Sequence, residues 1–251
     1  MSQPYTRIFL LSHMRAYTSL LGHILGSHPQ INGYYEMHLN YASAEDLAQQ
    51  QQLYTRQDSL KPGSRYLFDK LLHNDYGLNL PALGQEDAII LLALRQPEPT
   101  IKSILNLFAK KDVNDLYANP AGATAYYIER LAKLAEFSQQ HPQRYHYFDA
   151  ELIRTDTDNA LAKLAEWLRL DSPLSAHYQK FAKTGVAGAG DTSPVIQSGK
   201  VIRQESEYPD IVLDTGLLQQ ATAAYEECRQ QLIDNGHASM ERARNNIPDP
   251  A

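Results

Sequence analysis

Two short segments of this 251-residue chain pair an arginine with hydroxyl side chains in a pattern suited to holding anionic oxygens. The first is Ser12-His13-Met14-Arg15-Ala16-Tyr17-Thr18-Ser19. Arg15 offers a planar fork of donors that matches a pair of anionic oxygens, and Thr18 and Ser19 can add hydroxyl donors. In the second, Ser103 follows Arg95 by eight residues, again a guanidinium with a hydroxyl, which makes a phosphate clamp. The first segment is not a Walker A loop. It has no G-x-x-x-x-G-K-[ST] pattern and no glycine, and its cation stands three residues before Thr18 rather than beside it.

Both segments sit where a strand gives way to a helix. Arg7-Ile8-Phe9-Leu10-Leu11-Ser12 has the short apolar run of a strand buried on both faces. After it, Leu20, Leu21, Ile24 and Leu25 form a helical stripe that Pro29 stops. A helix N-terminus carries unsatisfied N–H groups and a partial positive charge, so a strand–loop–helix of this kind draws phosphate or sulfate. Ala88 to Leu94 is a seven-residue apolar run ending at Arg95. Pro97 suits the first turn of the next helix, whose Ile101, Ile104, Leu105 and Phe108 repeat at core-facing spacing. Carboxyl ends of parallel strands are where open α/β sheets bind ligands.

Further strands are expected at Arg65–Lys70 and Tyr145–Phe148, and further helices over about 121–139 and after Thr157-Asp158, where Leu161, Leu164, Ala165 and Leu168 recur. Gln49 to Gln52 reads as a helix surface. Strands alternating with helices predict an α/β fold with a parallel sheet. Residues 184–210 are rich in Gly, Ser and Pro and read as an irregular arm; Leu218, Ala221, Tyr225, Cys228 and Leu232 mark a last helix over about 215–235. One domain over 1–251 is the economical reading.

Lys and Arg total 23 against 29 Asp and Glu, a net charge of −6, which argues against a general nucleic-acid binder but permits a local basic pocket. The single cysteine, Cys228, allows no intramolecular disulfide and no cysteine metal cluster, and it falls on the apolar stripe of the last helix. No segment approaches the ~20 apolar residues of a membrane span, so a cytoplasmic protein is expected.

The run from Phe9 to Leu21, followed by Leu25-Gly26-Ser27-His28-Pro29, resembles the opening of bacterial and Golgi-type sulfotransferases, with their P-R-S-G-T-T-L-L loop and L-x-x-H-P segment. Arg15, Thr18 and Ser19 align with the family's arginine and paired hydroxyls. Met14 stands for the proline and Ala16-Tyr17 for Ser-Gly, and a tyrosine tolerates fewer backbone conformations than a glycine. Leu94-Arg95-Gln96-Pro97 through Ser103 is similar to the family's R-[DE]-P-x(5)-S element. Fainter likenesses lie at Phe148–Ile153, to Y-E-D-L-L, and at Trp167–Leu170.

The resemblance implies a three-layer α/β/α fold of the P-loop-like type. It also implies 3′-phosphoadenosine 5′-phosphosulfate as donor, without a metal. The residues from Arg15 through Ala16, Tyr17 and Thr18 to Ser19 would cradle the 5′-phosphosulfate, and Arg95 with Ser103 would hold the 3′-phosphate. Glu36, in Gly33-Tyr34-Tyr35-Glu36-Met37-His38, matches the family's base in place; His38 is the rival, with an ordinary pKa nearer neutrality. Asp69-Lys70-Leu71-Leu72-His73-Asn74 is similar to the family's D-K-x-P-x-N, which puts Lys70 near the transferring group, as Arg15 would be. Asp191–Lys200 looks like a nucleotide-covering loop, with Lys200 and Arg203 as candidates for the 3′-phosphate side. The acceptor would be a small hydroxylated molecule: a carbohydrate, a lipid or a natural product. Two rivals stand beside this reading. Asp69 at a strand end admits a metal-dependent ATP phosphotransferase, and the Ala16-Tyr17 pair admits a non-catalytic nucleotide binder of the same fold.

Overall fold

The apolar run Ile8–Leu11 has no polar side chain to offer water, and it becomes the central strand of a parallel sheet. A computed structural model describes residues 5–83, 88–112, 114–186, 191, 193–203 and 208–243. In chain order the first half contains β1 (Thr6–Leu11), α1 (Thr18–Ser27), β2 (Ile31–Asn32), α2 (Ala44–Thr55), β3 (Tyr66–Leu71), α3 (Leu80–Leu83), β4 (Ala88–Leu94) and α4 (Pro97–Phe108). The second half contains α5 (Pro120–Gln140), β5 (His146–Asp149), α6 (Leu152–Thr155), α7 (Thr157–Trp167), α8 (Thr215–Asn235) and β6 (Ala238–Met240).

Among the described residues the sheet has six strands in the order β2-β3-β1-β4-β5-β6, every pair parallel. The period-2 alternation of side chains sorts β1 and β4 between two cores. Phe9, Leu11, Ile90, Leu92 and Leu94 face one layer, where α4, α5 and α8 supply Ile101, Ile104, Leu131, Tyr225 and Cys228. Ile8, Leu10, Leu91 and Ala93 face the other, where α1 and α7 supply Leu21, Ile24, Leu161 and Leu164. This is the expected three-layer α/β/α arrangement.

β1 is flanked by β3 on one side and β4 on the other, so the strand order reverses there, and the loops after β1 and β4 open at that switch point. α1 lies so close to the chain after β2 that a Cβ on Gly22 would come within 2.4 Å of the Tyr34 carbonyl oxygen. Gly33 has φ +95°, a conformation side chains disfavour. Gly22 lets the segment leading to Glu36 sit against α1, and Gly33 lets it sit against Phe68 of β3.

The edge strands and α2 depart from expectation. The short edge strands β2 and β6 carry no strand-like run of their own and exist through pairing with β3 and β5. Gln49 to Gln52 do lie on a helix, α2, but Gln50 is fully buried rather than on its surface. No helix among the described residues is long and apolar enough to cross a membrane.

Candidate active site

The loop after β1 is held by buried bonds from four sides. The Ser12 hydroxyl donates to the Ala93 carbonyl at 2.6 Å, tying β1 to β4. Arg130 of α5 donates through Nε to the Ser12 carbonyl (2.8 Å) and through Nη2 to the Leu71 carbonyl (2.6 Å), closing the ends of β1 and β3. The Met14 N–H donates to the Tyr126 hydroxyl, which itself donates to the Leu72 carbonyl, both at 2.8 Å. Arg95 donates through Nη1 to the Arg15 carbonyl at 3.0 Å.

His13 joins the two arginine-bearing loops. Its Nε2 accepts from the Arg95 N–H at 3.0 Å, so Nδ1 must carry the proton that goes to the Met14 carbonyl at 2.9 Å. Both ring nitrogens are therefore committed to the neutral tautomer. Burial, helped by the charges of Arg95 and Arg130, pushes the His13 pKa down to about 3. The Arg95 carbonyl accepts from the Tyr127 hydroxyl at 2.7 Å, and the Gln96 N–H donates to Glu151 Oε1 at 2.8 Å.

Arg15 and Tyr17 both have positive φ, 65° and 55°. The turn this produces leads into α1, whose N-terminus no side chain caps and whose first turn holds no acid, so its leading N–H groups keep their affinity for an anion. Arg15 Nε donates to the Ser103 hydroxyl at 2.9 Å, so the two anion-holding sets meet. They line one cleft, together with Tyr17, Thr18, Ser19 and Arg154. The Arg95 guanidinium lies 4.3 Å from the centre of the Tyr17 ring and that of Arg154 lies 5.0 Å from it. Arg95 is 3% exposed and Arg154 4%, and Arg95 Nε is buried without a hydrogen-bond partner among the described residues. A pair of buried cations of this kind suits an anionic ligand.

Asp191 also lines this cleft. Its Oδ1 pairs with Arg15 Nη1 at 3.3 Å, and its N–H donates to the Ser19 hydroxyl at 3.0 Å. Burial would raise its carboxyl pKa, but the Arg15 charge and the bonds from Ser193 outweigh burial and hold it below the usual value.

A second cleft has Arg15, Thr18 and Ser19 in common with the first and adds Glu36, His38, Lys70 and His73. Lys70 is 1% exposed and donates to the Ser19 hydroxyl at 3.2 Å. Burial lowers its pKa, against the pull of Glu36, Asp69 and Asp191. Glu36 Oε1 is buried with no hydrogen-bond partner among the described residues, 3.9 Å from His73 Nε2; Oε2 is 3.9 Å from His38 Nε2. Burial lowers the His73 pKa, although Glu36 pulls it the other way.

The overall backbone arrangement has solved counterparts. It superimposes on a structure described as "Sulfotransferase Domain from the Curacin Biosynthetic Pathway" with a TM-score of 0.58 and 16% identity, over 90% of this chain and 99% of that one. It superimposes on "Sulfotransferase Domain from the Synechococcus PCC 7002 Olefin Synthase" with a TM-score of 0.54 and 17% identity, over 89% and 95%. The fold is that of sulfotransferase domains. No protein-family model and no curated protein sequence matches the chain.

On this sulfotransferase fold, Arg15, Tyr17, Thr18, Ser19, Arg95 and Ser103 come together around the first cleft, and Glu36, His38 and Lys70 around the second. Ala16 is not on the cleft wall; it is buried in the core beside α1. Lys200 and Arg203 also lie off the wall. Lys200 is exposed, bridged to His177, and Arg203 reaches Asp158 at 3.6 Å. Residues 187–190, 192 and 204–207 of the expected arm lie outside the described residues.

The Asp69 carboxylate is not available to a metal. Its oxygens accept from the Tyr41 hydroxyl (2.6 Å), the Met37 N–H (3.0 Å) and the Lys70 N–H (2.8 Å). Its role is to anchor the Glu36 loop to β3. Burial raises its pKa to about 7 despite those bonds.

Sequence reasoning missed Arg154, His73, His13 and Arg130. Arg154 lies one position past the Phe148–Ile153 likeness, and His73 within the Asp69–Asn74 one, so both were within reach of a motif. Arg130 lies in mid-helix, and nothing around it in the chain marks it.

Proposed function

We propose that this chain moves a sulfuryl group from 3′-phosphoadenosine 5′-phosphosulfate to the hydroxyl of a small acceptor. The observation that carries the reading is the meeting of the two anion-holding sets in one cleft, joined by the bond from Arg15 to Ser103. The residues fit a ligand with two anionic ends. One end offers an uncapped helix N-terminus with Arg15, Thr18 and Ser19, and the other offers buried Arg95 with an unpartnered Nε. Sulfotransferase domains of the same fold support the same class of reaction.

The donor supplies the activated sulfuryl group. Glu36 Oε1, which makes no hydrogen bond among the described residues, takes the acceptor's proton as the acceptor oxygen bonds to sulfur and the bond from sulfur to the 5′-phosphate oxygen breaks. Arg15 and Lys70 flank Ser19 on the wall between the clefts, where they stabilise the charge gathering on that departing oxygen. Asp69 and the α1 glycines hold the Glu36 loop in place.

Thermal melting with adenosine 3′,5′-bisphosphate tests this reading, because a ligand that binds the folded state alone raises its stability. The expected result is a rise in Tm without added metal, with no comparable rise from magnesium and ATP. No shift at saturating bisphosphate, or a shift with magnesium–ATP alone, refutes it.

A further inference from the structure

The backbone pairing of β1 with β4 ends at Leu11 and Leu92, before either arginine-bearing loop begins. Three side-chain bonds carry the two chains on together past that point. The Ser12 hydroxyl donates to the Ala93 carbonyl, the Arg95 N–H donates to His13 Nε2, and Arg95 Nη1 donates to the Arg15 carbonyl. The first of these lies at the strand ends, and the last uses a guanidinium that the proposed donor would also engage. The His13 bond joins the loops at the level of the arginines, through atoms that no ligand in the cleft needs.

His13 is fully buried and is not on the wall of either cleft. Its ring packs edge-on to Tyr127, with centroids 4.9 Å apart, and the Tyr127 hydroxyl donates to the Arg95 carbonyl at 2.7 Å. Both polar groups of the Arg95 backbone are therefore held, the N–H by His13 and the carbonyl by Tyr127, and the two holders brace each other. A buried N–H that loses its acceptor carries the full cost of its desolvation, so the Arg95 loop is penalised for moving away from His13. Nε2 accepts only while the ring proton is on Nδ1, where the Met14 carbonyl at 2.9 Å keeps it.

We infer that His13 is a positioning residue: without touching the ligand, it fixes the spacing between the Arg15 loop and the Arg95 loop, so that a nucleotide with an anion at each end meets both at once. The inference rests on the nucleotide reading above and extends it to the way the two loops act together. A ligand whose two anions are linked over a fixed span gains from loops already set to that span, because binding need not order them. A ligand with a single anion calls on one loop and gains little from their spacing.

Isothermal titration calorimetry with adenosine 3′,5′-bisphosphate, adenosine 5′-monophosphate and adenosine 3′-monophosphate tests it on wild type, His13→Asn and His13→Gln. Asparagine places its amide where Nδ1 lies and stops short of Arg95, whereas glutamine reaches as far as Nε2 and can accept from the Arg95 N–H. His13→Asn is expected to weaken the bisphosphate about tenfold and each monophosphate by less than about twofold. His13→Gln is expected to keep all three within about threefold of wild type. Equal losses for all three nucleotides in His13→Asn would mean that His13 merely supports the fold, and would overturn the inference. So would an unchanged bisphosphate affinity in that variant, or a loss in His13→Gln as large as in His13→Asn. If His13→Asn folds poorly, nitrogen-15 NMR of the wild-type imidazole decides: a neutral ring protonated at Nδ1, with and without bisphosphate, is expected, and a ring protonated at Nε2 refutes the bridge. If wild type binds none of the three nucleotides, the nucleotide reading falls and takes this inference with it; wild-type binding whose bisphosphate preference His13→Asn leaves intact refutes the inference alone.

Discussion

On the proposed function, replacing Asp191 by asparagine should strengthen binding at the donor site, because the carboxylate holds the cation assigned to the donor. The pair is close, 3.3 Å between Asp191 Oδ1 and Arg15 Nη1, and its side chains are 23% and 19% exposed. At an effective dielectric of about 20, two charges at that distance attract by about 5 kcal/mol. Desolvation of both ions offsets most of this, which leaves about 1–2 kcal/mol for a pair that is mostly but not wholly buried. A phosphosulfate or 5′-phosphate at Arg15 must displace the carboxylate and forfeit that amount. The asparagine has the same shape and can still accept from the Ser193 N–H (3.0 Å in the wild type), but it carries no charge.

The expected result is a Kd for adenosine 3′,5′-bisphosphate about 5- to 30-fold lower in Asp191→Asn than in wild type, read by calorimetry at neutral pH. The sign has a pH check. The Asp191 carboxyl sits below its usual pKa, so its ion pair stabilises the unliganded protein above the ordinary carboxylate range and is lost as pH falls through the depressed value. Protonation then does to the wild type what the amide does to the variant, and the affinity gap should close in acid. Equal or weaker binding by the asparagine variant at neutral pH would show that Asp191 stays in place beside the ligand, and would refute the reasoning.

Three further outcomes follow from the geometry. Glu36→Gln should leave bisphosphate affinity within about twofold while cutting turnover by about 10²- to 10⁴-fold, the span of general-base contributions; intact turnover would pass the role to His38 or His73. Arg95→Ala should weaken the bisphosphate by about 10-fold or more in calorimetry, since it removes a buried, charge-assisted donor. His13 is buried neutral with its pKa pushed down to about 3, so the unfolded chain binds one more proton between about pH 3 and 6.5 and stability falls as pH drops through that window. His13→Gln should remove up to about 1.4 kcal/mol per pH unit of that slope, measured by denaturant unfolding across the window.

Much of this fold was legible because its central strands are buried on both faces. Ala88–Leu94 is a strand at the bounds its apolar run suggests, and the helix expected over 215–235 is α8, Thr215–Asn235. β2 and β6 were not legible: two and three residues long, they hold no pattern and owe their conformation to a neighbour. The meeting of Arg15 with Ser103 could be expected from two strand ends at a switch point, since that inference needs only topology. Local sequence could not show that a mid-helix arginine, Arg130, would close two strand ends, or that an aromatic ring would occupy a left-handed turn. Those placements are set by residues distant in the chain. Lys200 and Arg203 lie off the cleft wall in this structure: Lys200 is exposed and Arg203 pairs with Asp158.

The wall that Arg15, Thr18 and Ser19 form between the two clefts bears on inhibitor design. A compound confined to the first cleft meets only the residues proposed for the donor. One carrying an arm into each cleft engages Glu36 and its two histidines as well, and its second arm binds at the effective concentration set by the linker rather than by diffusion. Such a bridging molecule adds contacts to Lys111 and the two histidines of the second cleft, which a compound held in the first cleft alone does not reach.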